Sequence, residues 1–395
     1  MERLSFDLVI LGGGIAGLSA LIAAQEKGAK VLLVTKGVLF GSGSTFVNQN
    51  GRWGITYGTS ENEKQEIFAR INAISRGTNV PGLSEILVEE SHAAYRRLKE
   101  WGVRFLRNSF GEDGRFAPCF LETPVASIIE STGQFARVVG ARLDRSVVEI
   151  MEGTAAKELT VVGNRCTGCV LDLGGKEISV EAGAVIMATG GGAANFAKNI
   201  VEPGLTGDGY RILREVGLEL KNMDYVQRIW QSRKTAAGES DFTLSHFWDE
   251  NIVFKNSQGN IINKPEFAPE TIRERRSHAV IANLQEDRAI DEHFLSKFPD
   301  SSPGRGLCAY ARNDGKYLYE IEPCVQACNG GVKIGHHGET GMESLYAAGE
   351  VATGMHGGDR MGGMMICAAL VFGRRAAFHA LNHRRKGISE KLLVQ

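Results

Sequence analysis

Prolines are few, nine among 395 residues, and no Gly-X-Y period accompanies them, which excludes collagen-like and low-complexity architectures. No apolar run reaches the ~20 residues that a membrane span needs, so no transmembrane segment is expected. The seven cysteines are odd in number and scattered, which argues against a disulfide framework. Neither sign of charge is in excess: 45 Lys+Arg face 46 Asp+Glu, and a net charge of −1 offers no electrostatic case for binding nucleic acid. The opening residues, Met1 to Ser5, run straight into a strand pattern and leave no room for a signal peptide. A reduced, cytoplasmic α/β protein is the expectation.

What abounds is glycine: 49 residues, about 12% of the chain against a usual ~7%, read as many tight backbone approaches. A buried-strand run at residues 6–11 feeds into Gly12-Gly13-Gly14-Ile15-Ala16-Gly17. An apolar helix over 18–27, stopped by Gly28, and a second strand at 31–34 complete the βαβ context that a GxGxxG match requires. Gly12 permits the tight turn, Gly14 lets the backbone approach a pyrophosphate, and Gly17 lets the helix sit close to the sheet. The helix N-terminus then offers free N–H groups and a positive dipole end to phosphates.

The second strand ends in Thr35-Lys36, where a dinucleotide site normally offers an acidic residue to a ribose. Two downstream features favour FAD over NAD. One is the turn Ala188-Thr189-Gly190-Gly191 after a strand; the other is Tyr346-Ala347-Ala348-Gly349-Glu350, followed by a glycine-rich turn and an apolar helix over 364–378. A long cofactor needs several such backbone approaches, and the Glu350 carboxylate suits ribitol hydroxyls. The helix start near Gly362-Gly363 would point its dipole at the flavin O2 end.

Elsewhere an amphipathic helix is expected over 84–101, with Ser84 as its N-cap and Gly102 as its stop. Residues 157–187 read as a β-meander with turns at Gly163-Asn164 and Gly174-Gly175. From about Asn222 to Pro323 the character shifts to more charge and fewer strand runs, with Trp230 and Trp248 and a hairpin at residues 256–259. This stretch reads as an inserted domain.

These residues together resemble the flavoprotein family of succinate dehydrogenase, fumarate reductase and L-aspartate oxidase. The matching stretches are Gly12 to Gly17, Gly41-Ser42-Gly43-Ser44-Thr45, Ala188 to Gly191, Thr206-Gly207-Asp208-Gly209, Gly330-Gly331, and Ala348-Gly349-Glu350 through Met355-His356-Gly357-Gly358-Asp359-Arg360 to Val371-Phe372-Gly373-Arg374. The resemblance implies a Rossmann-like α/β FAD-binding domain in two segments, 1–221 and 326–395, with an inserted α+β capping domain at 222–325. It also implies a divergent member without the family's C-terminal helical domain. As cofactor-binding residues it implies Gly12, Gly14, Ile15, Ala16, Gly17, Thr35, Lys36, Gly43, Ser44, Thr45, Ala156, Ala188, Thr189, Gly190, Asp208, Gly349, Glu350, Arg360, Met365 and Ile366. The FAD should be non-covalent, since the His that carries covalent flavin in some family members is absent here, with Ser44 and Thr45 in that neighbourhood.

For catalysis the resemblance implies Arg360 as a carboxylate clamp, a task suited to a guanidinium fork, with His356 beside it and Asp359 adding a negative charge where the family has Asn. Arg273, next to Glu274, is the nearest match to the family's proton-carrying Arg, though Arg275 and Arg276 confuse the register. Two family histidines are replaced, by Ile229 and Gln326, and no clear Thr-Glu pair holds a dicarboxylate; His246 or His278, read as surface residues, would have to compensate.

Cys166-Thr167-Gly168-Cys169 lies in a meander strand and reads as chance spacing, whereas the resemblance places Cys328, with Cys324 nearby, beside the flavin. His336-His337 reads as a turn with no carboxylate or Cys pattern for a metal, and none is expected.

The expected function is hydride transfer between flavin N5 and a small carboxylate-bearing substrate, by a desaturation or its reverse or by amine oxidation. The alternative is an FAD-carrying electron-transfer subunit with a redox partner; a third reading is a flavin protein whose site has decayed.

Overall fold

The computed structural model describes residues 4–47, 51–235, 252–255, 260–263, 266–296, 307–311 and 317–392. The apolar first strand, Leu4–Leu11, is the middle of a seven-stranded mixed sheet. It pairs in parallel with Val31–Val34 on one side, Leu8 opposite Val31, and with Lys176–Met187 on the other, Leu11 opposite Met187. Val148–Met151 extends the sheet beyond Val31–Val34. On the other flank Ala155–Val162 and Arg165–Leu173 form the expected antiparallel meander with Lys176–Met187. Its turns fall at Gly163 and at Gly174-Gly175, all with positive φ, where glycine carries no Cβ penalty. Leu345–Ala347 adds in parallel to the far end of Lys176–Met187, bringing the second segment of the chain to the first.

The helix Ile15–Gln25 leaves the first strand and is buried nearly all round. Against it lies the C-terminal helix Met364–Leu392. Their backbones touch: a Cβ on Gly373 would stand 2.4 Å from the Ala16 carbonyl oxygen, and the Ser19 hydroxyl donates to the Leu370 carbonyl at 2.7 Å. The first 20 residues of this last helix, Met364–His383, are apolar and long enough to cross a membrane by length and composition, an exception to the sequence reading. Two thirds of its most apolar window is buried inside the protein, so its apolar surface is spent on the core.

The single helix expected over 84–101 is two helices, Pro81–Glu89 and Ser91–Glu100. Pro81 takes the first helical position after Val80, which makes Ser84 an interior residue rather than the cap. The Ser84 hydroxyl donates instead to the Met355 carbonyl at 2.8 Å. At the break, the buried Ser91 hydroxyl bonds back to the Val88 carbonyl at 2.6 Å and accepts from the Gly58 amide, a pull that bends helices.

The stretch read as an insertion carries its own six-stranded antiparallel sheet, ordered Ile261–Ile262, Ile252–Lys255, Leu307–Ala311, Tyr317–Cys328, Val226–Thr235, Val280–Ile281. The first two flank the expected hairpin at residues 256–259, which itself lies outside the described residues, as do His246 and Trp248. Trp230, Phe254, Ile281, Ile290, Phe294 and Ile321 form a core separate from the main one. The strand Tyr317–Cys328 runs unbroken past residue 325, so the expected boundary there falls inside a strand that joins both regions.

Under this sheet Arg275 is wholly buried, with Nε 2.8 Å from Asp291 Oδ2, one Nη donating to Asp291 Oδ1 at 3.0 Å and the other to the His278 carbonyl. The Trp230 indole N–H donates to the same carboxylate at 2.7 Å. Breaking a buried ion pair from one side costs more than removing it whole. Arg275→Met is therefore expected to destabilise the chain by about 3–5 kcal/mol in denaturant unfolding, and adding Asp291→Leu to recover part of that, since the Trp230 N–H and the His278 carbonyl stay unmet. A single variant as stable as the double would refute this account.

Candidate functional site

Where the parallel strands end, their loops surround one pocket. The turn after Leu4–Leu11 supplies Gly12, Gly13 and Gly14; Gly12 has φ +125° and its amide donates to the Val34 carbonyl at 2.8 Å. A Cβ on Gly12 would lie 2.1 Å from the Ala188 carbonyl oxygen, so the two strand ends meet only because this residue has no side chain. Gly14 caps the helix Ile15–Gln25 without a side-chain hydrogen bond, leaving backbone donors at the helix start. The Thr45 hydroxyl accepts from the Ile15 amide at 3.0 Å, tying the Gly43-Ser44-Thr45 loop to that helix start.

Every residue expected to hold the cofactor lines this pocket except Gly17 and Arg360: Gly12, Gly14, Ile15, Ala16, Thr35, Lys36, Gly43, Ser44, Thr45, Ala156, Ala188, Thr189, Gly190, Asp208, Gly349, Glu350, Met365 and Ile366. Gly17 stands one layer behind, where a Cβ would meet the Gly12 carbonyl oxygen at 1.9 Å. Its work is to seat the helix against the turn.

The Lys36 ammonium reaches Asp208 Oδ2 at 2.7 Å and the Thr206 hydroxyl at 2.9 Å, joining the second strand's end to the start of the helix Asp208–Glu215. Thr189 Oγ1 is buried without a hydrogen-bond partner, and buried polar atoms are seldom left so in a complete site. Glu350 Oε1 accepts from the Cys328 amide at 2.8 Å, and burial pushes its carboxyl above the ordinary range. A Cβ on Gly191 would fall 2.1 Å from that same oxygen. Uncapped helix donors, glycine cradles and an orphaned hydroxyl fit a long, phosphate-bearing cofactor.

A second cluster involves the six-stranded sheet. Arg360 is 8% exposed, and its guanidinium donates to the Gln227 and Asn329 side-chain oxygens, the latter at 3.4 Å. No carboxylate among the described residues lies within ion-pair distance of it. Glu350 is near enough for their charges to interact, and burial lowers the guanidinium's proton affinity. His356 is 1% exposed, and neither ring nitrogen meets a hydrogen-bond partner. Burial, with the Arg360 charge adding to it, pushes this imidazole down to about 3, so it is neutral at ordinary pH. Sequence reasoning missed the two partners of Arg360, Gln227 and Asn329; the available signal was their position beside Arg228-Ile229 and Gly330-Gly331.

Asp359 does not put its charge toward an open site. Its carboxylate accepts from the Asn283 amide at 2.6 Å, the Leu284 amide at 2.8 Å and the Gln285 side chain at 3.0 Å, binding the loop that follows Val280–Ile281. Arg273 is exposed on the helix Pro269–Arg276, whereas Arg275 is buried as described. His278, expected at the surface, is buried: Nε2 is 2.7 Å from Asp287 Oδ2, Nδ1 is 2.7 Å from the Val280 carbonyl, and the ring stacks on Phe120 at 4.0 Å. Both nitrogens are engaged, so it cannot stand in for a lost substrate histidine. Ile229 is wholly buried in the main core, and Gln326 is half-buried.

The Cys328 thiol packs with Ala193, Val226 and Val325, and burial pushes it up to about 11, which removes it as a thiolate beside the pocket. Cys324 is buried as well. Cys166 and Cys169 are buried strand residues pushed up to about 11 and 12.

Comparison with known proteins agrees with this geometry. The FAD binding domain family matches residues 7–366. L-aspartate oxidase of Halobacterium salinarum is 28% identical over 94% of this chain and 74% of its own length. A fumarate reductase (CoM/CoB) subunit of Methanothermobacter marburgensis is 25% identical over 96% of this chain and 73% of its own length. Among solved structures, Mycobacterium smegmatis Sdh1 in complex with UQ1 superposes with a TM-score of 0.79 at 23% identity, over 98% of this chain and 70% of that one. The chain belongs to the FAD binding domain family and is an FAD-dependent oxidoreductase.

Proposed function

We propose that this oxidoreductase acts on a small carboxylate-bearing compound held by Arg360, in the manner of the aspartate oxidases and fumarate reductases it is similar to. The observation that carries the reading is the Arg360 guanidinium: buried, with no carboxylate partner among the described residues, and bonded only to two neutral amide oxygens. A buried cation left this way is completed by an anionic ligand, and the guanidinium fork matches a carboxylate. Neutral His356 beside it adds an imidazole free to bond the same ligand.

FAD would be held, non-covalently, by the pocket of the two FAD-binding segments, 1–221 and 326–395, with residues 222–325 as the cap. Gly12, Gly14 and the helix start at Ile15 and Ala16 suit its pyrophosphate. Thr35, Lys36 and Asp208 suit a ribose, and Glu350 suits the ribitol hydroxyls. When bound, the flavin supplies the two-electron chemistry, and the chain supplies orientation and charge. Asp359 positions the loop at Asn283 and Leu284 against the segment that carries Arg360, ahead of the C-terminal helix, rather than touching a substrate.

Two observations favour a second reading, an FAD-carrying electron-transfer subunit: Arg273, the expected proton carrier, is exposed, and Ile229 lies in the core where the family has a substrate histidine. An anaerobic visible spectrum titrated with small carboxylates and amino acids separates the two. The proposal expects the flavin bands to bleach with one such compound. Bleaching with dithionite alone would overturn it and leave the electron-transfer reading.

A further inference from the structure

The motif His336-His337, read as a bare turn, has a carboxylate two residues on, Glu339, and acquires a partner far from it in sequence, His379. His337 and Glu339 sit in the loop between the strands Gly331–Lys333 and Leu345–Ala347, and His379 projects from the C-terminal helix Met364–Leu392. One ligating atom from each of His337, Glu339 and His379 lies within 4.8 Å of the other two, all on half-buried side chains. The rings of His337 and His379 stack at 4.6 Å, and His383, one helical turn on, stands 4.1 Å from His379.

We propose that His337, Glu339 and His379 bind a divalent transition metal of the zinc class, water completing its coordination, at a site distinct from the FAD pocket. Two imidazoles and one carboxylate are the donor set for such an ion, whereas calcium and magnesium call for oxygen ligands. The supporting contacts are those of a metal site. The Tyr346 hydroxyl lies 3.0 Å from His379 Nδ1, which leaves Nε2 facing Glu339 Oε1 at 3.5 Å. The Glu339 carboxylate is itself oriented by the His337 amide at 2.8 Å. Metal–ligand bonds of about 2.0–2.2 Å require the three donors to draw together by about an ångström, within reach of half-buried side chains on a loop and a helix.

The placement gives the ion a task. Leu345–Ala347 leads directly into Gly349 and Glu350, and the first turn of the C-terminal helix carries Met365 and Ile366, all lining the pocket. A metal joining loop and helix would fasten these two walls from behind.

The test uses the untagged, FAD-loaded full chain, stripped of metal with a chelator and titrated calorimetrically with Zn2+, with Co2+ as an absorbance probe. One Zn2+ per chain is expected, with visible cobalt bands of a nitrogen–oxygen site. His379→Ala and Glu339→Gln should each weaken binding at least ~tenfold, and Tyr346→Phe about tenfold through the lost outer contact. Flavin absorbance per chain reports folding; where His379→Ala loses flavin, Glu339→Gln and His337→Ala carry the comparison. Absence of stoichiometric binding, or binding that survives these substitutions unchanged, would overturn the proposal.

Discussion

Gly12→Ala is expected to yield a chain that no longer retains FAD. The residue has φ +125°, and its new Cβ would stand 2.1 Å from the Ala188 carbonyl oxygen and 2.5 Å from the carbonyl carbon, both backbone atoms of the neighbouring strand's end. Neither can rotate away, so the two strand ends must part, and the glycine turn and the Ala188-Thr189-Gly190 turn lose their shared geometry. A loss of ~1.4 kcal/mol or more in cofactor affinity is at least tenfold in flavin retained at limiting FAD, read as visible absorbance per chain. Gly163→Ala is the matched control. It too has positive φ, +61°, but its Cβ would meet nothing within 4 Å, and it lies in the outer meander turn. It should lower stability by the ~1 kcal/mol typical of such a strained position, read as a small drop in melting temperature, with FAD retained. Equal flavin retention in both variants would remove the close approach at Gly12 from the account.

Arg360→Ala should abolish carboxylate binding while leaving FAD in place. Truncating one partner of a desolvated charge pair costs about 2–5 kcal/mol, so the affinity for an anionic ligand should fall on the order of a hundredfold or more. The guanidinium does not line the FAD pocket, which is why flavin content should survive. Two buried amide oxygens, on Gln227 and Asn329, would lose their donor, and stability should drop by about 1–3 kcal/mol for each left unmet. Arg360→Lys separates charge from shape: it keeps the cation but not the fork, and should recover part of the binding. The readout is the dissociation constant of a small carboxylate from perturbation of the flavin spectrum. Wild-type affinity in Arg360→Ala would remove the clamp and with it the proposed substrate class.

Much of the cofactor pocket is legible in the amino-acid order. Gly12 and Gly17 could be assigned distinct tasks because each stands where a Cβ cannot go, and the strand–turn–helix–strand around them lies within about 30 residues. The meander was legible for the same reason, since turn glycines and alternating strands are short-range signals. The helix over 84–101 was not. Its apolar periodicity runs through both halves, and the break falls at Ser91, whose hydroxyl bonds back to the Val88 carbonyl and accepts from the distant Gly58 amide.

The substrate-side residues show where such signals stop. Three arginines stand within four positions, Arg273, Arg275 and Arg276, and nothing in their order says that the middle one is buried on Asp291 while Arg273 faces solvent. Asp359 looked like a charge beside Arg360 and binds instead the loop at Asn283 and Leu284. His278 looked exposed and is engaged at both nitrogens; Cys328 looked poised and packs in an apolar cluster.

The sequence alone determined the βαβ scaffold, the glycine turns and the choice of FAD, because backbone conformation and strand pattern depend on neighbours along the chain. Only the tertiary structure decided which Arg, His and Cys side chains are desolvated, paired or left free. Burial and hydrogen-bond partners come from separate elements of the fold, as Gln227 does for Arg360 and Asp291 for Arg275, and those two quantities, not residue type, govern what a titratable side chain can do.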